Sequence, residues 1–430
     1  MTDKKKKKRR ADPAAAMVSA TMLFFFLGFL MLAIKNGSWQ SLMMAAVVPV
    51  IVFLSSVLIP KLFPADKMLL TLTNFLCALG VLILYYMDPS RGLRQALFYG
   101  LGIGAMLLCI LLVRFVKRWK TLAALIMLGG IMILAVTAFF GQTINGAQNW
   151  FRFGALQFQP SEAVKLSLIV GLAYLLSRRK DFWAILFSIC CMALLVLQAD
   201  MGTAIVYYGV TVMMLYTLTG KIRTMLGCVL ATAAAVAAVY FILPMFGFTK
   251  LVNKFQYINA RFNSWLNPWD DPRGDSYQLL TGLIAIANGG LWGVGLGLGN
   301  AATSITYAYN DFIFPVIVHE FGAVFGVIVL LTYVFIIIRA VMIARRSRTV
   351  FNALLAVGCA ALIGLQTFVI VGGNLKLIPL TGVTLPFISY GGTSLVSSLC
   401  VIGLLQGVAS VNEQGVREDR ELAMRGGEGA

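Results

Sequence analysis

Twelve apolar runs dominate this chain, and each is about long enough to cross a lipid bilayer. A transmembrane helix needs about 20 apolar residues. With 60% hydrophobic and only 12% charged residues, the chain cannot be a soluble globular protein, in which roughly a quarter of residues are charged. The sequence therefore predicts an all-α polytopic membrane protein with about twelve transmembrane helices. The predicted spans lie near residues 17–34, 41–60, 68–87, 95–113, 122–140, 162–177, 183–198, 203–219, 225–245, 312–338, 351–371 and 387–409.

The basic residues predict the orientation of these spans. The formal net charge is +18, and the Lys and Arg residues form short clusters between apolar runs. In a twelve-span arrangement all these clusters fall on one side, which the positive-inside rule identifies as cytoplasmic, together with both termini. The pattern argues against nucleic-acid binding, because anionic lipid explains the basic run at residues 4–10 more simply. The clusters lie at residues 4–10, 61–67, 114–120, 178–180, 221–223 and 339–348.

The longest predicted connection is residues 246–310, on the outer side. It is rich in Gly, Trp, Tyr and Asn and includes a half-apolar stretch at residues 279–287. Long connections of this kind are usually functional. We expect it to form short interfacial or re-entrant helices over the outer mouth of the protein, because non-helical backbone at membrane depth must be surrounded by protein or line a cavity. The polar tail from Asn412 is expected to be disordered.

The seven cysteines all lie within apolar runs, and none is spaced with a histidine as a metal ligand would be. A disulfide framework or a metal cluster is therefore not expected. The cysteines are interpreted as small apolar packing residues.

The stretch from Tyr307 to Gly322, YAYNDFIFPVIVHEFG, carries ionisable residues into a very apolar run. Asp311 lies at its start, and His319 and Glu320 lie two to three turns further along. Ionisable groups at such depth are costly and usually face a cavity or a polar pathway. Asp311 has an alternative role as the N-cap of the following helix. This stretch alone does not separate the two interpretations.

Four further polar clusters lie on the outer side. Glu162 and Lys165 are three residues apart, so they share one face of a helix and can pair. A structural ion pair is the alternative to a ligand contact for Lys165, and turn or packing chemistry is the alternative for the other clusters. The clusters are GAQNWFRFG with QPSEAVK (146–154 and 159–165), QADMGT (198–203), NPWDDPRGDSYQ (267–278) and PLTGVTLPFISYGGTS (379–394).

These motifs, in this order, resemble the SEDS family (shape, elongation, division and sporulation), which includes RodA, FtsW and SpoVE. The resemblance runs from about Asp66 to Ser410. It implies a polytopic glycosyltransferase that polymerises lipid II into glycan strands on the outer face of the bacterial cytoplasmic membrane, releasing undecaprenyl diphosphate. It also implies a class B penicillin-binding protein as partner. The chain departs from the family pattern just before Asp311, where it reads TYAYN rather than PE-x-HT, and His319 replaces the first Glu of the EELG motif.

The resemblance also implies the site residues. Asp311 matches the family's essential acid, the hypothesised base for the acceptor hydroxyl. Lys165 would stabilise the departing diphosphate, with Arg152 or Arg261 as helpers, and a divalent cation, Mg²⁺ or Mn²⁺, bridging Asp311 or the acids at 270–275 is left open. The expected substrate-binding residues are Glu162, Lys165, Gln159, Ser161, Trp150, Arg152, Asp200, Tyr277, Glu320, Ser389, Gly391 and Gly392.

The expected organisation has four parts. They are a basic cytoplasmic N-terminus (1–16), two extra spans (17–65), a SEDS-like membrane core (66–410, with the outer loop at 246–311) and a cytoplasmic tail (411–430). Two other functions stay open at this point, a flippase for lipid-linked cell-wall precursors and a non-catalytic scaffold of a wall-synthesis complex. The crowding of polar clusters on the outer side argues against transport, and a scaffold does not need an acid at position 311.

Overall fold

The computed structural model describes residues 13–116, 118–144, 147–153, 156–237 and 256–427. The basic N-terminus, the end of the ninth predicted span and the start of the outer loop lie largely outside these residues. The first nine helices are α1 (Pro13–Asn36), α2 (Trp39–Leu62), α3 (Lys67–Met87), α4 (Pro89–Phe115), α5 (Trp119–Phe140), α6 (Pro160–Ser177), α7 (Asp181–Leu197), α8 (Met201–Thr219) and α9 (Ile222–Ala237). The remaining helices are α10 (Gln256–Leu266), α11 (Tyr277–Gly289), α12 (Ala301–Ser304), α13 (Ile313–Arg345), α14 (Val350–Asn374) and α15 (Gly392–Gly427).

The predicted membrane architecture is confirmed. In the described part of the chain, ten helices are long and apolar enough to cross a membrane. Two shorter apolar helices, α7 and α9, occupy the positions of the other two predicted spans. The short helices α10 to α12 lie in the long outer connection, as expected.

Capping residues explain where several helices begin. The side chains of Asp66 and Asp88 accept backbone hydrogen bonds at the starts of α3 and α4. Asp200 and Thr349 do the same for α8 and α14. Each side chain satisfies an amide that has no partner within its helix. Asp311 is not such a cap, because the residue before α13 is Phe312, which makes no side-chain capping bond.

The N-terminal pair α1 and α2 packs against α3, and α1 also contacts α13. The ring of Phe24 on α1 stacks on Phe325 of α13 at 5.7 Å between centroids. Asn74 of α3 donates to Ser56 of α2 at 2.8 Å within the buried interior. The two extra spans are therefore integrated with the rest of the helical bundle by both apolar and polar contacts.

A small antiparallel sheet interrupts the all-α pattern, and the sequence did not predict it. Its strands are β1 (Gln142–Ile144), β2 (Ala147–Phe153) and β3 (Leu156–Phe158), in the order β1-β2-β3. The amide of Gln148 donates to the carbonyl of Gln198, at the end of α7, at 2.9 Å. The sheet thus holds the outer α5–α6 connection against the α7–α8 turn.

The span predicted at 312–338 is not one continuous helix. Gly322 has φ +86° and ψ 166°, so α13 is broken into an outer segment up to Phe321 and a longer segment from Ala323. The glycine-rich stretch 290–295 supplies the missing backbone partners there. Val294 and Gly295 donate to the carbonyls of residues 319 and 320, and the amides of residues 323 and 324 donate to the carbonyls of residues 290 and 291.

This arrangement explains why the break is tolerated within an apolar span. Backbone groups freed at membrane depth must find partners in the protein. A Cβ atom on Gly322 would collide with the backbone of Leu291, and its φ lies in the region that favours glycine. The glycine-rich stretch 290–295 therefore inserts its backbone into the broken helix.

The C-terminal end also differs from expectation. The span predicted at 387–409 begins at Gly392, because residues 379–391 form an extended turn. The tail expected to be disordered continues α15 as helix to Gly427. Helical spacing lets polar residues pair along it, and Gln414 donates to Glu418 four residues on at 3.1 Å.

Candidate active site

A cavity of about 330 Å³ lies between the outer loop helices, the α14 end and the 379–391 turn. Asp311 lines it together with Arg261 of α10 and Thr381 and Gly382 of the turn. The remaining lining residues are Ala147, Ala199, Ala260, Ser264, Trp265, Asp275, Gln278, Leu279, Phe312, Val369, Ile370, Gly373 and Leu380. Polar and apolar groups contribute about equally to its lining, and the charged side chains of Arg261, Asp275 and Asp311 converge there, which suits the binding of a polar moiety.

The Asp311 carboxylate and the Arg261 guanidinium both approach the same side of Gly382. A Cβ atom placed on Gly382 would lie 3.5 Å from Asp311 Oδ2 and 3.6 Å from Arg261 Nη2. Gly382 has φ +74°, so a larger residue there would be strained as well as crowded. Arg261 Nη1 also donates to the carbonyl of Leu380 at 3.1 Å, which fixes the guanidinium beside the turn.

The surroundings of Asp311 suit a general base. Burial in the cavity raises its pKa to about 6, and the positive charge of Arg261 opposes that rise. A carboxyl with a pKa near 6 is ionised at neutral pH, yet is more basic than an ordinary aspartate. The site therefore combines a carboxyl group of raised pKa, Asp311, with a guanidinium held by a hydrogen bond, Arg261.

Glu162 and Lys165 form the buried ion pair that their spacing predicted. Their side chains are only about 5% and 4% exposed, and neither residue lines the Asp311 cavity. Lys165 Nζ donates to Gln366 Oε1 at 3.0 Å, and Ser397 Oγ donates to Glu162 Oε2 at 2.9 Å. The pair is thus embedded in a hydrogen-bonded network between α6, α14 and α15.

This network reaches the turn that lines the cavity. Gln366 Nε2 donates to the carbonyl of Thr384 at 2.9 Å. The hydroxyls of Thr384 and Ser394 lie 2.8 Å apart. Lys165 therefore supports the 379–391 turn through Gln366. The cation beside Asp311 is the guanidinium of Arg261 and not the ammonium of Lys165.

Asp200 organises a second polar cluster. Its carboxylate accepts the amide of Thr203 at 3.2 Å and Asn149 Nδ2 at 3.0 Å. Gln159 Nε2 and Ser161 Oγ lie 3.5 and 3.4 Å from Asp200 Oδ2. The cluster joins β2, the start of α6 and the start of α8. Ala199, next to Asp200, lines the Asp311 cavity.

Glu320 and His319 bind the segment 285–297, which contains the glycine-rich stretch 290–295. Glu320 Oε2 accepts the amide of Gly297 at 2.7 Å, and Tyr86 Oη lies 3.2 Å from Oε1. His319 Nδ1 lies 3.0 Å from the carbonyl of Ala285. Both side chains are buried. These contacts support the break at Gly322. Neither His319 nor Glu320 lines the Asp311 cavity.

The other expected site residues lie around the cavity rather than in its lining. Trp150 and Arg152 are on β2, and Arg152 is exposed. Tyr277 begins α11 and its hydroxyl is 3.4 Å from the carbonyl of Ser304. Ser389 is buried in the turn. A Cβ atom on Gly392 would collide with the ring of Phe98, so the start of α15 requires glycine there.

The sequence indicated Arg261 only as a helper and Asp275 only among the acids that might hold a divalent cation, and it gave no role to Gln278 or Thr381. Asp275 belongs to the NPWDDPRGDSYQ motif, so its acidic cluster was the available signal. Gln278 Nε2 donates to the carbonyl of Thr306 at 2.7 Å, which ties α11 to the segment before Asp311. No local pattern marked Thr381 as a lining residue.

Comparisons with known proteins agree with this architecture. The family model for FtsW, RodA and SpoVE, described as a cell cycle protein, matches residues 66–414. The chain is 32% identical to a probable peptidoglycan glycosyltransferase FtsW of Geobacter metallireducens, over 74% of this chain and 84% of that protein. It is 31% identical to the stage V sporulation protein E of Bacillus subtilis, over 80% of this chain and 96% of that protein.

Solved structures give the same assignment. A chain from a peptidoglycan synthase complex, described for its coordination of polymerization and crosslinking, matches with a TM-score of 0.65 and 28% identity. That match covers 81% of this chain and 99% of the other. The crystal structure of Thermus thermophilus RodA matches with a TM-score of 0.57 and 28% identity, over 81% of this chain and 98% of that one. The helical core from Asp66 onward, its sequence motifs and its three-dimensional arrangement therefore place this chain in the FtsW, RodA and SpoVE family of cell cycle proteins.

Proposed function

We propose that this protein is a peptidoglycan glycosyltransferase that polymerises lipid II into glycan strands and releases undecaprenyl diphosphate. The observation that carries the proposal is that the Asp311 carboxylate and the Arg261 guanidinium line one cavity and approach the same side of Gly382. Family membership and relatives named as peptidoglycan glycosyltransferases support the same reaction.

In the proposed reaction, Asp311 removes the proton from the 4-hydroxyl of the acceptor sugar. The freed oxygen forms a bond to C1 of the donor sugar, while the bond from C1 to the diphosphate oxygen breaks. The diphosphate leaves with the electron pair, and Arg261 stabilises its charge. Because the phosphate ester already activates C1, the reaction needs no covalent enzyme intermediate.

A divalent cation is a further part of the proposal. Asp311 and Asp275 line the same cavity. Among the described residues, no group of three or more His, Cys, Asp or Glu side chains is placed to hold a metal ion. A Mg²⁺ ion is commonly held by one or two carboxylates plus substrate phosphates, so Asp275 fits a cation that arrives with the diphosphate, while Asp311 acts as the base. When bound, it would neutralise charge on the leaving group.

The proposed partner is a class B penicillin-binding protein that crosslinks the new strand. The similar chain from a peptidoglycan synthase complex, described as coordinating polymerization with crosslinking, supports this partner.

The direct test is glycan-chain formation from purified lipid II by the purified protein, with Asp311→Asn as the inactive control. Polymer formed by the native protein and lost in the variant supports the proposal. Lipid II binding or translocation by the native protein without polymer formation contradicts it, and would favour a flippase or scaffold.

We expect the polymerisation rate to rise with pH through about 6 and to level off above pH 7. The pKa of Asp311 is raised to about 6, and a base acts only when ionised, so protonation below that pH removes it. At pH 5 the rate should be about tenfold below the plateau. Initial rates between pH 5 and 8 measure this, and a flat profile would contradict the assignment of Asp311 as base.

The Arg261→Met variant extends the pH test. Removing the charge that lowers the pKa of Asp311 should move the ascending part of the profile to higher pH and also slow the reaction. Arg273→Met is the matched control, because Arg273 is an exposed guanidinium in the same outer loop and does not line the cavity. An equal shift in both variants would contradict a specific effect of Arg261.

We further propose that this multi-pass protein lies in the bacterial cytoplasmic membrane with both termini in the cytoplasm. In a cysteine-free variant, a membrane-impermeant maleimide added to intact cells should label Asp270→Cys, which is exposed in the outer loop, and leave Arg346→Cys unlabelled. Permeabilised cells should show labelling at both positions. Labelling of Arg346→Cys in intact cells would reverse the orientation.

A further inference from the structure

The two peptide carbonyls before Asp311 are held by the turn that precedes α15. The amide of Tyr390 donates to the carbonyl of Tyr309 at 2.9 Å. The hydroxyl of Ser389 donates to the carbonyl of Asn310 at 2.6 Å and accepts the amide of Leu385 at 2.8 Å. Ser389 is only 3% exposed. The Ser389 hydroxyl therefore both donates to and accepts from backbone groups, and the carbonyl that it binds belongs to Asn310, the residue before Asp311.

A stack formed by the side chains of Arg91, Tyr309 and Tyr390 also holds this segment. The guanidinium carbon of Arg91 lies 3.6 Å from the centre of the Tyr309 ring, a close cation–π contact. The rings of Tyr309 and Tyr390 meet edge to face, with 6.0 Å between centroids. Arg91 Nε lies 3.3 Å from Asp88 Oδ2, which orients the guanidinium. Tyr309 is thus fixed through both its carbonyl and its ring.

Helix α4 supports both parts of this arrangement. Gln95 is buried, and its Nε2 donates to the carbonyl of Ser389 at 3.1 Å. The amide of Gly391 lies 3.4 Å from Gln95 Oε1. Arg91 and Gln95 are four residues apart and so share one face of α4. One helix face therefore holds both the ring of Tyr309 and the turn that binds its carbonyl.

We propose that Ser389 and the Arg91–Tyr309–Tyr390 stack are positioning residues for the Asp311 carboxylate. None of these four residues lines the cavity, so they act on the reaction through the backbone of residues 309 and 310. Their role rests on the proposed base function of Asp311. It also gives Ser389 a structural task at the site in place of the direct substrate contact expected from the sequence.

The expected effect on the rate follows from the short distance that the Asp311 carboxylate must keep to the acceptor hydroxyl whose proton it removes. A misplacement of about 1 Å costs about 100-fold in rate. Loss of the stack should therefore lower kcat while leaving KM for lipid II within a few-fold, because the cavity walls are unchanged. The charge of Arg261 lowers the pKa of Asp311, so moving the carboxylate away from Arg261 should raise that pKa. Asp275, the other charged side chain of the cavity lining, is negative and cannot replace Arg261.

The test compares paired variants. Tyr309→Leu and Arg91→Met remove the stack, whereas Tyr309→Phe keeps an aromatic ring over which Arg91 can lie. Arg94→Met is the matched control, because Arg94 is an exposed guanidinium on the same turn of α4. We expect kcat to fall about 10- to 100-fold in the first two variants, and to stay within about twofold of native in the last two.

A second readout does not depend on activity. Carbodiimides react with protonated carboxyls, so labelling of Asp311 as a function of pH, followed by mass spectrometry, reports its pKa. A higher pKa in Tyr309→Leu but not in Tyr309→Phe supports positioning, even if the native protein forms no polymer and the proposed function fails. An unchanged pKa in Tyr309→Leu, or a loss of kcat no larger than the loss of folded protein, overturns the proposal.

Discussion

Replacement of Asp311 by Asn should abolish polymerisation while leaving the protein folded. A general base typically contributes 10²- to 10⁴-fold to a rate, so we expect a loss of at least about 100-fold. The amide has almost the same size and polarity as the carboxyl but cannot accept the proton. Lipid II binding should persist, since Arg261 and the cavity walls remain.

The measurement is glycan-chain formation from lipid II by purified Asp311→Asn, with thermal unfolding as the check on folding. Asp275→Asn is the matched control, an acid of the same cavity lining that is not assigned as base. Its loss should be the smaller of the two. An Asp311→Asn protein with near-native activity would remove the catalytic assignment, even though family membership would stand.

The buried pair of Glu162 and Lys165 should show the largest stability effect. Removing one member leaves an unpaired charge in the interior, which typically costs about 3–5 kcal/mol. We expect Glu162→Gln and Lys165→Met each to lower the free energy of unfolding by that amount. The double variant should lose less than the sum, because neither charge is then left without its partner.

Thermal unfolding in detergent compares these three variants. The exposed pair of Arg348 and Asp419 provides the control, since its side chains are 47% and 66% exposed. Asp419→Asn should change stability by no more than about 1 kcal/mol. Strictly additive effects of Glu162→Gln and Lys165→Met would contradict an energetic coupling between the two buried residues.

The sequence predicts most of the membrane architecture because the bilayer imposes a simple requirement. Each span needs about 20 apolar residues, and every predicted span in the described chain overlaps a helix. The pairing of Glu162 with Lys165 follows from helical spacing in the same way. These features depend on residues close together in the chain, so a local pattern contains the information.

Features built from distant segments escape such reasoning. The break at Gly322 lies in a uniformly apolar run, and its backbone partners come from residues 290–295, about thirty positions earlier. Arg261 reaches Asp311 only because the outer loop folds back onto the 379–391 turn. The tail after Asn412 was expected to be disordered because its composition is polar. It is helical instead, and polar side chains such as Gln414 and Glu418 pair along the helix.

The break at Gly322 also sets the depth at which the reaction takes place. At about 1.5 Å per residue, the helix from Ala323 to Ile338, just before the basic cluster at 339–348, is ~24 Å long, which is shorter than a hydrocarbon thickness of about 30 Å. The outer segment up to Phe321 is therefore needed to complete the crossing, and we expect Asp311, just before that segment, to lie at the border between the lipid chains and the headgroup layer. The diphosphate of a polyprenyl donor occupies that same layer while its tail stays among the lipid chains. The enzyme can therefore lengthen a glycan without lifting its lipid anchor out of the bilayer.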